Sequence, residues 1–368
     1  VQRTGPDVTF PRSIIPAKSA LKPAGARAAL LAMHASGAHR IAPGRLKGAG
    51  VIFMLHRVRE PDGADFAPNR ILEVTPGFLD AAICRVRELG YDCVSLDEAV
   101  GRLTAGDTSK RFAVFTLDDG YRDNLTVAAP VFERHNVPFT VYLATGLPDG
   151  TAELWWVALE RAVAAAGTLR MRFPEGEKTL PARTAEEKRA AYDHIYWRLR
   201  AGGEDAMRAA IRRLAGEHGI GMSDITRELA MSWDEVRALA ARPLARIEAH
   251  TAGHFALARL PEARAREEIA AGLARHEAEL GNRPQHFSYP LGDTRSAGER
   301  DFALAGSFGF RSATTTRKGL VEPRHAGRLM SLPRLSLNGD YQDLRIIEVL
   351  LSGVPFALGR AVSPGAFG

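Results

Sequence analysis

The sequence predicts an α/β fold, a closed or nearly closed (β/α) barrel of seven or eight parallel strands with one helical insertion. Two observations carry this prediction. From Gly50 onward, eight short apolar runs rich in strand formers alternate with stretches of helical period. That rhythm stops near residue 150 and returns near 230, with mainly helical patterns between.

Residues 1–48 are rich in Pro, Ala and basic side chains, with one helical stretch near 24–37, and read as an N-terminal arm. The first part of the barrel, 49–150, opens with the strand "GVIFML". In "TPGFLDAAICRVRELG", Thr75 caps, Pro76 starts and Gly90 stops a helix. "DCVSL" is a short strand and "DEAVGRL" a helix. "FAVFTL", a helix over 125–135 and "PFTVYLATG" complete this part. Residues 151–229 form the insertion, helical apart from the strand-like "TLRMRF", and are expected to cap the mouth of the barrel. The second part, 230–342, begins with a capping box of Ser232 and Glu235. It continues through "ARIEAH", a helix over 261–280, "QHFSYP", a helix near 297–306, "FRSATTT" and "SLPRLSL". Residues 343–368 carry an apolar tract too short to span a bilayer, which reads as a docked helix or a peripheral membrane contact.

Of 368 residues, 45% are hydrophobic and 25% charged, the balance of a soluble globular chain. The net charge of +6 comes from Arg dispersed among Glu and Ala, as in "EARAREEIAAGLARHEAEL". That is a solvated helix face and argues against nucleic-acid binding. Two cysteines outside any CxxC pair fit a reducing compartment, so the expected location is cytoplasmic, including the inner face of the membrane.

Chemistry concentrates where "FAVFTL" runs into Asp118, Asp119 and Gly120. Adjacent carboxylates at a buried strand end repel each other unless a cation neutralises one of them. Further ligands for a cation follow the next strong strand after the insertion, in "HTAGH" (250–254). There His250 and His254, at i and i+4, converge on one metal from a helical turn or a tight loop. Two imidazoles and a carboxylate leave open positions for water, as a catalytic site requires. Zinc suits this set, and Co2+, Ni2+ or Fe2+ fits it as well.

"FTLDDGYRDN" and "HTAGH" resemble the first two motifs of the polysaccharide deacetylases, the NodB-homology enzymes of carbohydrate esterase family four. "FMLHRV", "GYDCVSLDEA" and "MSWDEVRALA" are similar to the exopolysaccharide-type bacterial branch. The resemblance implies a distorted (β/α) barrel and removal of acetyl groups from an N-acetylated carbohydrate. It implies one divalent metal ion held by Asp119, His250 and His254, with Asp118 as the general base toward the attacking water. Tyr121, inside the first motif, is a candidate substrate neighbour. Trp155 and Trp156 read either as packing of the insertion or as a sugar-stacking platform.

The third family motif normally begins with an Arg. Here "FSYPLG" (287–292) has Ser288 in its place, with Tyr289 beside the strand exit and Leu291 where a backbone N–H would serve the oxyanion. The last motif normally ends Leu-x-His, whereas this chain has Leu335-Ser336-Leu337. His56, at the exit of the first strand, is the candidate replacement acid, and Arg334 the candidate partner of Asp118. His286 reads as structural, and His194, His218, His276 and His325 as surface residues. A deformylase or other small-amide hydrolase acting on an amino sugar, and a glycan-binding pseudoenzyme, are the competing readings.

Overall fold

Strands β1 (Gly50–Leu55) and β2 (Phe112–Asp119) are buried along their whole length, as parallel strands covered on both faces must be. The computed structural model describes residues 23–173 and 175–362. Five more parallel strands follow: β3 (Phe139–Leu143), β4 (Ala245–Ala249), β5 (His286–Ser288), β6 (Ser312–Lys318) and β7 (Leu332–Ser336). Their spatial order is β1-β7-β6-β5-β4-β3-β2, and pairing of β1 with β2 closes the ring. Seven strands therefore form the closed barrel. The eighth candidate, in "DCVSL", contributes only Asp92–Cys93, which pairs outside the ring with Phe112 and Ala113. The ring is thinnest at β5, joined to β4 through one residue pair, Phe287 with Ala249.

The helices are α1 (Pro23–Ala35), α2 (Pro76–Glu88), α3 (Leu96–Thr104), α4 (Ala129–Arg134), α5 (Trp155–Ala165), α6 (Ala185–Arg200) and α7 (Glu204–Glu217). After them come α8 (Met222–Leu229), α9 (Trp233–Ala240), α10 (Glu262–Leu280), α11 (Glu299–Ser307), α12 (Leu344–Leu351) and α13 (Val354–Val362). Thr75 caps α2 by accepting the Phe78 N–H at 3.1 Å, an interaction worth about 1 kcal/mol. A π-helical turn, Asn124–Ala128, leads into α4, so the helix expected over 125–135 is two pieces.

Alternation along β2 sorts its side chains. Ala113, Phe115 and Leu117 join Leu79 and Ile83 of α2 and Phe132 of α4 in the shell between strands and helices. The other face carries Phe112 and Val114, packed with Ile52 and Tyr142, and then Thr116 and Asp118. The inward row of β2 thus changes from apolar to polar as it nears the mouth.

The chain divides into two units. One holds the barrel. The other comprises Leu154–Met222 with Ala64–Pro68 among the described residues. In the second unit, α5 buries Ala158, Leu159 and Ala162, α6 buries Ile195, and α7 buries Ile211 and Leu214. Its "TLRMRF" stretch (Thr168–Phe173) has an antiparallel partner, Gly176–Pro181. That partner is almost wholly exposed and has no apolar alternation, so its sequence gives no strand signal. In the barrel unit, α12 and α13 follow β7, and Ile347, Leu351 and Phe356 enter the main core. No helix among the described residues is long and apolar enough to cross a membrane.

Candidate metal centre and its catalytic neighbours

Register brings the carboxylates and imidazoles to one end of the barrel. Asp119 pairs with Leu143 of β3, and Leu143 with Ala249 of β4, so His250 leaves its strand at the level of Asp119. Backbone strain then aims the side chains. Asp119 (φ 75°), Thr251 (64°), His254 (54°) and Leu291 (61°) are four of the five non-glycine residues with positive φ among those described. Such conformations cost roughly 1–3 kcal/mol each and collect where function needs a particular geometry. Strict alternation would send Asp118 and Asp119 to opposite faces; the turn at Asp119 replaces that expectation.

His250 and His254 come from a tight loop rather than a helical turn. The His254 N–H donates to Thr251 Oγ1 at 3.1 Å, and the Gly253 N–H to Glu268 Oε2 of α10 at 2.7 Å. Gly272 of α10 lies against this loop, where a Cβ would sit 2.7 Å from the Thr251 carbonyl carbon. The His250 ring donates through Nδ1 to the Ser288 carbonyl at 2.7 Å, which turns Nε2 toward Asp119. The two rings stand 4.9 Å apart at 61°, and their Nε2 atoms are 3.5 Å (His250) and 3.2 Å (His254) from Asp119 Oδ1.

These three residues fit a divalent cation. Asp119 Oδ1 is buried and accepts no hydrogen bond among the described residues, although two imidazole nitrogens face it. Ligands about 2.0–2.2 Å from one tetrahedral ion stand roughly 3.0–3.6 Å apart, close to the separations found. Burial favours the neutral form of Asp119, but His254 and His250 outweigh it and hold the carboxyl well below its ordinary value.

Asp118 is tied instead to Arg334. The guanidinium is fully buried and spends all five N–H donors inside the barrel. Nη1 reaches Asp118 Oδ1 at 2.7 Å and Thr116 Oγ1 at 3.1 Å. Nη2 reaches Asp118 Oδ2 at 2.6 Å and Ser288 Oγ at 2.9 Å, and Nε reaches the Thr315 carbonyl at 3.0 Å. Burial pushes the Asp118 carboxyl up, yet the Arg334 charge and hydrogen bonds bring it below its ordinary value. Ser288 thus has two tasks, its hydroxyl on Arg334 and its carbonyl on His250. Neither was visible in the sequence, where Ser288 registers only as a missing Arg.

His56 is half-buried at the exit of β1, and its carbonyl accepts from Asn124 Nδ2 at 2.8 Å. Its ring is close enough to Asp118 and Asp119 for its charge to favour both ionised forms. Leu337, aligned with the absent histidine, is buried in the core cluster with Leu335, Val58 and Ile347. The Leu291 N–H donates to nothing among the described residues, while its carbonyl accepts from Thr316 Oγ1 at 2.7 Å.

Burial corrects the substrate-side expectations for Tyr289 and Tyr121 and favours the packing reading of Trp155 and Trp156. Tyr289 is fully buried against Phe287 and Phe302, and its hydroxyl donates to the Met330 carbonyl at 2.9 Å. Tyr121 is 1% exposed and bridges to Ala230, its ring 5.0 Å from the Arg57 guanidinium. Trp155 and Trp156 are 1% and 5% exposed, edge to face with each other, and Trp155 also lies against Tyr196. Neither indole offers an open face to a sugar. His276 is also corrected, being fully buried with neither ring nitrogen hydrogen-bonded among the described residues. His286 is buried with Nδ1 on Ser312 Oγ at 2.8 Å and Nε2 on Asp97 at 3.3 Å.

The family model described as polysaccharide deacetylase matches residues 186–307, a span that holds His250 and His254 but not the aspartate pair. Over that span the chain is similar to the polysaccharide deacetylases. Solved structures with the same fold include the Streptococcus pyogenes deacetylase PplD in complex with acetate, at 14% identity and a TM-score of 0.53. That match covers 82% of this chain and 97% of the other. IcaB from Ammonifex degensii is similar at 16% identity and a TM-score of 0.51, again over 82% and 97% of the two chains. A de-N-acetylase from Aggregatibacter actinomycetemcomitans matches at 12% identity and a TM-score of 0.51, over 81% and 98%. No curated protein matches the sequence.

Proposed function

We propose that this chain is a polysaccharide deacetylase, a metal-dependent hydrolase that removes the acetyl group from an N-acetylated saccharide. One observation carries the reading. A buried Asp-His-His cluster and a carboxylate clamped by a buried arginine are adjacent in the chain and share one barrel mouth. Asp119 Oδ1 and the Nε2 atoms of His250 and His254 would hold the ion, and zinc is the one this donor set suits best. When bound, it supplies Lewis acidity toward the acetyl carbonyl and makes water more acidic.

The chain's own residues do the rest. Asp118 takes the proton of the attacking water through a lone pair that Arg334 leaves free, since each carboxylate oxygen has two. Arg334 holds that carboxylate ionised and fixes its plane with a two-point contact. The Leu291 N–H donates to the acetyl oxygen as negative charge develops there. His56 delivers a proton to the departing amine, the role for which Leu337 has no chemistry.

Acetate release from a panel of N-acetylated sugars and oligosaccharides, with and without chelator, tests the reading. Chelator-sensitive release supports it. Release of formate alone from formylated amino sugars would assign the site to a deformylase. Binding of the sugars without release of either acid would assign it to a pseudoenzyme.

A further inference from the structure

We propose a second metal site, formed by His34, His39 and Glu348, that fastens the N-terminal helix to α12. It shares no residue with the barrel mouth and does not rest on the function proposed above. His34 lies in the last turn of α1, His39 in the turn after it, and Glu348 on α12. The candidate ligand atoms of the three side chains all lie within 4.8 Å of one another. Glu348 Oε2 is 3.4 Å from His34 Nε2 and 3.7 Å from His39 Nε2.

Two observations separate this cluster from a chance surface contact. The His39 side chain is 6% exposed, and neither ring nitrogen has a hydrogen-bond partner among the described residues. A buried imidazole without partners costs free energy that a bound cation would recover. Glu348 is also pre-oriented. Arg85 of α2 takes its other oxygen, Oε1, at 3.0 Å through Nε and 2.9 Å through Nη2, leaving Oε2 to the histidines. Metal-ligating carboxylates are characteristically held by such outer partners.

The rings are stacked, 4.6 Å apart and 17° from parallel. Imidazole lone pairs lie in the ring plane, so coordination requires one ring to turn about its Cβ–Cγ bond. His34, 20% exposed, has the freedom to do so, and buried His39 is the fixed ligand. Two nitrogens and a carboxylate suit zinc, with water as the fourth ligand. The ion would join residues far apart in sequence, beside an ion pair that also links this helix to the start of α12, Arg27 to Asp343 at 3.4 Å. The role is that of a structural clip.

The test counts metal and keeps the two sites apart. Chelator-stripped His250→Ala protein, whose barrel centre is disabled, is dialysed against zinc alone and assayed for bound metal and thermal stability. One equivalent of zinc and a raised Tm are expected, and both disappear in His250→Ala/His39→Ala. Should the double variant fold poorly, His250→Ala/His34→Gln, altered at the more exposed ligand, is expected to behave the same way. In an otherwise native chain, His34→Gln lowers bound zinc from two equivalents to one and leaves acetate release unchanged. The proposal is overturned if His250→Ala binds no zinc, or if zinc bound there survives His34→Gln.

Discussion

Replacing Arg334 with Met removes a buried cation while leaving its partner, and the consequence follows from its contacts. Five donated hydrogen bonds disappear, and two of them go to a carboxylate buried to 2% exposure. The Thr116 and Ser288 hydroxyls can turn toward other partners, but Asp118 cannot. Breaking a buried ion pair on one side costs about 3–5 kcal/mol, because a charge stays behind without compensation. The expected loss for Arg334→Met is in that range. Adding Asp118→Asn removes the stranded charge at constant shape, so the double variant should regain roughly half of the loss despite carrying one more substitution. Urea denaturation of wild type, both single variants and the double variant forms the complete cycle. If Arg334→Met lies within about 1 kcal/mol of wild type, or the double variant is no more stable than Arg334→Met, the inward pairing described here is wrong.

Other outcomes follow from the same geometry. Asp118→Asn should retain metal and lower turnover by roughly two to four orders of magnitude, the range for losing a general base, as read from acetate release and metal content. Burial drives His276 and His286 down to about 4 from 6.5, so between those values the unfolded chain binds protons that the folded chain does not. Stability should therefore fall as pH drops from about 6.5 toward 4, by up to about 3 kcal/mol for each histidine, and His276→Leu should flatten the slope of stability against pH in urea titrations. Gly272→Ala should displace the Thr251 loop and weaken metal binding with little change in overall fold, which equilibrium dialysis and circular dichroism together would register.

The barrel was legible because parallel strands buried on both faces read as unbroken apolar runs, and "GVIFML" and "FAVFTL" are such runs. The aspartate pair and the two histidines stood out because charged and imidazole groups at the ends of such runs have few structural uses. The pairing of Arg334 with Asp118 and Ser288 was only partly legible, since the residues are separated by 216 and 46 positions and meet through ring closure. Positive φ at Asp119, Thr251, His254 and Leu291 has no single-residue signature, although Gly120, Gly253 and Gly292 adjoin three of them. Tyr121 and Tyr289 misled, and Trp155 and Trp156 stayed open between two readings, because aromatic residues near a motif look the same whether they pack or bind. Gly176–Pro181 was invisible as a strand because its backbone, rather than any apolar face, makes the pairing.

The central claim is that Asp119, His250 and His254 hold the ion that Asp118 needs for amide hydrolysis. Acetate release from an N-acetylglucosamine oligomer tests it most directly, measured on chelator-stripped protein before and after zinc is restored, in wild type and in His254→Ala. The account predicts release only from zinc-restored wild type. Undiminished release from the stripped protein, or from His254→Ala, would contradict it.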